Sequence, residues 1–244
     1  MVLLPFYLIS VVAVYMVNGL RLPSYLKPCK VRTPTFSQCG VENGNAAIPV
    51  MMKGDRKFGF PSLNPLKVEL IELSSGDLKL NGTNVLVKGL PEAQLTDIKA
   101  NLDEQTIYLE IYDPHIELDF NYQVGGKISS LPVAGEGPAE IHLYNTTYKY
   151  KLDFTTYKKK GKDHAKFEKG DLNLEATKIT LHFDNLFNGN KLLGDNINKF
   201  LNENWPQLLV DLRPGISGIV ESVLKGVLVN IFDKVPMQEI FLDY

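Results

Sequence analysis

DNINKFLNENWPQLLVDLRPGISGIVESVLKGVLVNIF, residues 195–232, carries apolar side chains at intervals of three and four. They are Ile197, Leu201, Trp205, Leu208, Leu212, Ile216, Ile219, Val223 and Val227, a helical stripe. Phe200, Leu209, Val220, Leu224, Leu228 and Ile231 widen it, until from Ile216 to Phe232 the helix is apolar most of the way round. Such a helix needs cover on several sides. Asp195 is placed to cap its start, and Pro206 and Pro214 each remove an internal hydrogen bond, which predicts kinks or breaks there. Unbroken, it would be about 57 Å long at roughly 1.5 Å per residue. A compact globule of this chain's size spans only about 44 Å. Either the molecule is elongated or the prolines fold the helix back.

What could cover it lies upstream. Residues 66–184 read as strands with one dry face. Ile107, Leu109 and Ile111 alternate with Tyr108, Glu110 and Tyr112; Ile116, Leu118 and Phe120 alternate with His115, Glu117 and Asp119. Tyr148, Tyr150, Leu152 and Phe154, and then Ile179, Leu181 and Phe183, repeat the pattern. Gly125-Gly126, Asn81-Gly82 and Gly161 read as hairpin turns. No helices interleave, so a doubly wound parallel sheet is not expected. The expected class is α+β, with a long C-terminal helix wrapped by a strongly curved antiparallel β-sheet. Residues 20–65 are irregular and proline-punctuated, with a short helix expected from Phe36 to Ala47.

The first nineteen residues are nearly all apolar and uncharged, a run short for a bilayer span. Val17 and Gly19 are small residues placed as a signal peptidase requires. Residues 1–19 are therefore read as a secretory signal peptide and residues 20–244 as one domain. Secretion makes the two cysteines, Cys29 and Cys39, a disulfide candidate. Asn81 and Asn145 begin Asn-x-Ser/Thr sequons. The 244 residues carry 26 basic and 28 acidic side chains, a net charge of −2 with no basic excess for nucleic acid. A hydrophobic share of 44% is too high for a disordered chain.

Enzyme signatures are weak. No G-x-S-x-G elbow occurs, and Gly215-Ile216-Ser217-Gly218 lies within the helix. His115, Glu117 and Asp119 share a strand face, as do His182 and Asp184, but wet faces produce such sets routinely. No metal, cofactor or nucleotide site is expected. Lys158-Lys159-Lys160-Gly161-Lys162 reads as a solvated hairpin tip, with docking to an anionic membrane or a receptor as the alternative.

Motifs spread along the chain carry a family resemblance. They are Leu22-Pro23, Cys29 and Cys39, Ala47-Ile48-Pro49, Gly54, Gly59-Phe60-Pro61, Pro65-Leu66 and Ile71. Gly135-Glu136-Gly137 and Ile141-His142-Leu143 follow, then Asn202-Glu203-Asn204-Trp205, Leu212-Arg213-Pro214, Phe232, Pro236 and Phe241. In order and spacing the chain resembles the insect takeout / juvenile hormone binding protein family. Asn64 stands where the family often has Asp, and the second cysteine pair of moth juvenile hormone binders is missing, which points to the takeout branch. The resemblance implies secretion, the architecture of tubular lipid-binding proteins, and a tunnel for an apolar ligand.

Such a tunnel would be lined by the dry strand faces and one helix flank. The strands offer Ile107, Leu109, Ile111, Ile141, Leu143, Tyr150, Leu152, Phe154, Leu181 and Phe183. The helix offers Phe200, Trp205, Leu209, Leu212, Ile216, Val220 and Val223. The alternative for each is a place in solid core, and for Trp205 a packing anchor before Pro206. Tyr108, Tyr112, Tyr148 and Tyr150 could supply a hydrogen bond to a head group. The expected function is a secreted monomeric carrier of an isoprenoid, fatty acid or related lipid. A membrane-facing lipid-transfer protein and a secreted ester hydrolase are the alternatives.

Overall fold

The computed structural model describes residues 20–244, so the expected signal peptide lies outside the described residues. The strands are β1 (Leu66–Ser75), β2 (Leu78–Lys88), β3 (Gln94–Asn101), β4 (Thr106–Ile128), β5 (Leu131–Lys159), β6 (Lys162–Glu175) and β7 (Lys178–Phe183). The α-helices are α1 (Phe36–Met51), α2 (Lys191–Glu203), α3 (Trp205–Phe232) and α4 (Met237–Ile240). The seven strands form one antiparallel sheet in the order β1-β2-β4-β5-β6, with β3 added on β4 and β7 on β5.

β4 and β5 are its spine, paired from Thr106↔Asp153 to Ile128↔Leu131. Flat, the 23 residues of β4 would run about 78 Å at roughly 3.4 Å each, well beyond a compact globule of this size. The molecule takes the elongated solution. At one end β3 and β6 flank the spine, and at the other β2 and β7 do, with β1 beyond β2.

The inward face changes parity once. Ile107 and Leu109 are buried on one side of the change, and Ile116, Phe120, Tyr122 and Val124 on the other. β5 changes with β4, because Asp113↔Thr146 is followed by His115↔Tyr144, with Pro114 and Asn145 as the unpaired step. Asn145 takes φ 47°, the left-handed conformation that asparagine tolerates. Alternation of two cannot survive a one-residue step, so both strands turn over together.

The long helix divides at Asn204, whose side-chain amide donates to the Phe200 carbonyl at 2.8 Å and closes α2. Pro206 then occupies the first turn of α3, where its missing N–H costs nothing. Pro214 lies within α3 without ending it. It is exposed, and so is Val210, whose carbonyl it leaves unpaired, so water can take that bond. α2 starts earlier than expected: Asn190, not Asp195, caps it, accepting from the Leu193 amide at 3.2 Å.

α3 packs against β6 and β1, the two ends of the strand path, and against β7. The sheet is not closed, and the helix bridges its edges. Gly215 seats α3 on the Leu73 side chain of β1, and Gly170 of β6 makes room for Glu221 of α3 and the Tyr150 ring. Asparagines dock the other helices. Asn198 and Asn202, one turn apart on α2, each bond both N–H and C=O of a β7 residue, Phe183 and Leu181 respectively. Asn45 of α1 does the same to Leu95 of β3. α1 runs past Ala47 to Met51, and the Cys29–Cys39 disulfide ties it to the preceding segment.

Two expected turns are strand. Asn81-Gly82 lies in β2 and Gly125-Gly126 in β4. Gly82 is there for space, since a side chain would meet Ile71 and Phe120. Lys160-Gly161 is a turn as expected, with both φ values positive.

Gly218 faces open space, so Gly218→Ala should stabilise by up to about 1 kcal/mol through helix propensity. Gly215→Ala should lose that gain against Leu73. Reducing the disulfide should cost about 2–3 kcal/mol. Denaturation midpoints read all three.

Candidate functional site

The interior has two apolar halves. One gathers Ile107, Leu109, Tyr150, Leu152 and Phe154 with Val220 of α3. The other gathers Ile141, Leu181 and Phe183 with Phe200 of α2 and Leu212 of α3. Ile111, Leu143, Trp205, Leu209, Ile216 and Val223 are half-buried and stand outside both clusters.

α3 has an exposed stripe through Gln207, Asp211, Pro214, Gly218, Ser222 and Val229, spaced by helical turns. Leu212, Ile216, Val220, Val223 and Val227 lie off that stripe, yet they remain half-accessible rather than buried. Only Leu208, Ile231 and Phe232 of this helix are buried. Accessible surface on the sheet-facing side of a helix means space between helix and sheet. A hollow of about 400 Å³ lies at one end. It is lined by the β1–β2 and β4–β5 turns and by Leu208, Asp211 and Leu212 of α3.

Between the two halves, at the parity change, sit Asp113 and Thr146. They face each other across the β4–β5 ladder and are 1% and 0% exposed. The Asp113 carboxylate accepts from the His115 amide through Oδ1 at 3.1 Å, while Oδ2 and Thr146 Oγ1 have no partner. Burial pushes the Asp113 carboxyl up to about 6, against the pull of the His115 amide. Beside them, burial raises the Tyr148 phenol and the Asp113 charge raises it further, while the nearby Thr146 hydroxyl pulls the other way, though no hydrogen bond of good geometry joins the two. Tyr150 is fully buried, and its hydroxyl lies 3.5 Å from Glu221 of α3, at the limit of hydrogen bonding.

The sequence matches the family described as "Haemolymph juvenile hormone binding protein (JHBP)" over residues 7–242. The chain belongs to this family. "Circadian clock-controlled protein daywake" is similar: the Drosophila yakuba protein is 26% identical, with 90% of this chain and 88% of that one covered. The Drosophila melanogaster protein is 25% identical over the same shares. In three dimensions the chain is similar to the crystal structure of Epiphyas postvittana Takeout 1, with TM-score 0.77 and 25% identity. That superposition covers 88% of this chain and 99% of the other.

In this member of the juvenile hormone binding protein and takeout family, the tyrosines divide. Tyr148 and Tyr150 sit on the inner face, whereas Tyr108 bonds Glu110 and Tyr112 bonds Asn145 on the outer one. Asn145 also donates to Thr177 through its amide nitrogen, the atom a glycan would take, whereas Asn81 is exposed on β2. His115 and His142 stack on the outer face, and His142 meets Glu140 at 2.6 Å. Glu117, Asp119 and Glu140 converge nearby, but the Lys88 ammonium bonds the first two. Ser217 donates to the Leu172 carbonyl, and the buried His164 faces the Phe232 carbonyl. In the lysine loop, Lys158 pairs with Asp163, Lys159 with Asp233 and Lys162 with Glu239.

Asp113 and Thr146 escaped the sequence reading. The alternation of Ile107, Leu109 and Ile111 extends to Asp113 and places it on the dry face.

The native state holds the Asp113 proton more tightly than the unfolded chain, so stability rises as pH falls through about 6 and is lost as the carboxylate forms above it. Asp113→Asn should therefore stabilise by up to about 3 kcal/mol at neutral pH. It should also shrink the difference between denaturation midpoints at about pH 4.5 and about pH 7.5.

Proposed function

We propose that this protein is a secreted carrier that holds an apolar small molecule between α3 and the sheet. The observation that carries the reading is the half-accessible apolar flank of α3, turned away from its exposed stripe. A close-packed interior would have consumed that surface. The family's description as juvenile hormone binding supports a ligand of this kind. The disulfide and the apolar residues 1–19 support secretion. The hollow at the hairpin tips is the suggested entrance. Ion pairing in the lysine loop lowers the charge it could offer an anionic membrane, which favours a carrier over a membrane-docked lipid-transfer protein. Ser217 Oγ and His164 Nδ1 each face a backbone carbonyl, on Leu172 and Phe232 respectively, and not each other, which gives a hydrolase little support.

The energetics are adequate. A ligand of about fifteen carbons gains roughly 12 kcal/mol at about 0.8 per buried methylene. Association costs about 4 kcal/mol or more. About 8 remains, near micromolar affinity.

Solvent extraction of the purified protein, followed by mass spectrometry, should release an apolar molecule. The emptied protein should take up one fluorescent lipid per chain. Val220→Trp fills the interior from α3 and should weaken uptake at least about tenfold, with the circular dichroism spectrum unchanged. A protein that yields no lipid and takes up none is not a carrier.

A further inference from the structure

Among the described residues, Asp113 Oδ2 and Thr146 Oγ1 make no hydrogen bond, although the Tyr148 phenol lies beside them. Buried polar atoms are almost always hydrogen-bonded, and two unpaired ones facing each other are a specific demand. Asp113 Oδ2 can only accept when the carboxyl is ionised, and Thr146 Oγ1 carries a proton to give. Directly paired residues hold their Cβ atoms about 5 Å apart, so one small group can reach both. Both side chains point to the inner face, midway between the two apolar halves.

We propose that Asp113 and Thr146 are a hydroxyl-recognition point for the carried ligand, which is an alcohol of an isoprenoid or long alkyl chain. The ligand hydroxyl donates to Asp113 Oδ2 and accepts from Thr146 Oγ1, with apolar chain extending into the halves on either side. Other head groups fit worse. An ether, ester or epoxide brings no proton, so Asp113 Oδ2 stays unpaired and desolvated. A fatty carboxylate adds a second negative charge beside Asp113. A hydrocarbon satisfies neither atom. The inference rests on the carrier reading and adds a head-group preference to it.

The test is competition against a fluorescent apolar dye, using hexadecanol and its methyl ether. The wild-type protein should bind the alcohol about tenfold more tightly than the ether, the worth of one well-made buried hydrogen bond. Thr146→Val and Asp113→Leu each replace a polar partner by a hydrocarbon of the same branching and heavy-atom count. Both should bring the ratio close to one by weakening the alcohol while leaving the ether as it was. A wild-type ratio of one overturns the proposal with the carrier reading intact, as would a water molecule serving the pair. A wild-type ratio that persists in both variants places the preference elsewhere and overturns it as well. Binding of neither compound overturns the carrier reading along with it. If one variant fails to fold, the other still locates the preference.

Discussion

The ladder between β4 and β5 is the constraint from which the rest of the structure follows. Two strands of 23 and 29 residues, paired over nearly the whole of the shorter one, are too long for either to have the same neighbours throughout. β3 and β6 serve one end and β2 and β7 the other, so the sheet becomes two flanked segments on one spine. Each segment buries its own apolar set, which is why the core falls into two clusters. The joint between them is a one-residue step taken in both strands at once, at Pro114 and Asn145. Proline has no N–H to give the ladder and asparagine tolerates positive φ, so the residue types suit an unpaired step.

α3 then has a defined task. The strand path ends at β1 and β6 without closing, and edges left open are exposed pairing sites. The helix spans both, seated by glycine at each contact: Gly215 on the helix against β1, and Gly170 on β6 against the helix. Its depth is set by these edges and not by the spine, which lies on the far side of the interior. The paired Asn198 and Asn202 fix α2 on β7 by copying the bonds of a missing strand, and α2 in turn fixes where α3 begins.

Much of this was legible in the sequence. The three-and-four stripe identified the long helix, and alternation of two identified the dry strand faces. Less legible were the places where local chemistry has more than one use. Gly82 and Gly125-Gly126 look like turns, but in Gly82 the missing side chain makes room for Phe120. Pro206 and Pro214 look equivalent, but one falls in a first turn, where it is harmless, and the other on an exposed face, where water can reach the freed carbonyl. Asp195 looks like a cap because it precedes the stripe, yet the chain starts its helix at Asn190, before any apolar period is visible. The change of phase between Ile111 and Ile116 was present in the letters. Its consequence, a carboxyl and a hydroxyl facing each other in the interior, needed the register of β5 against β4.

The same geometry ties ligand to stability. Each inward residue of α3 left half-accessible keeps apolar surface in contact with water, at about 25 cal/mol for every Å² not buried. In the proposed carrier a ligand covers that surface without the sheet having to close, because backbone hydrogen bonds hold the strands that form the wall. Binding only to the folded chain then adds to stability in proportion to the logarithm of ligand concentration, about 2.7 kcal/mol at a hundred times the dissociation constant. A polar pair at the centre fits this economy of apolar contact. Chain burial alone barely distinguishes one lipid from another of equal length, whereas an unmet hydrogen bond in a dry interior penalises the wrong head group directly. On the proposed reading, affinity resides in the two apolar halves, and selectivity in the few atoms where they join.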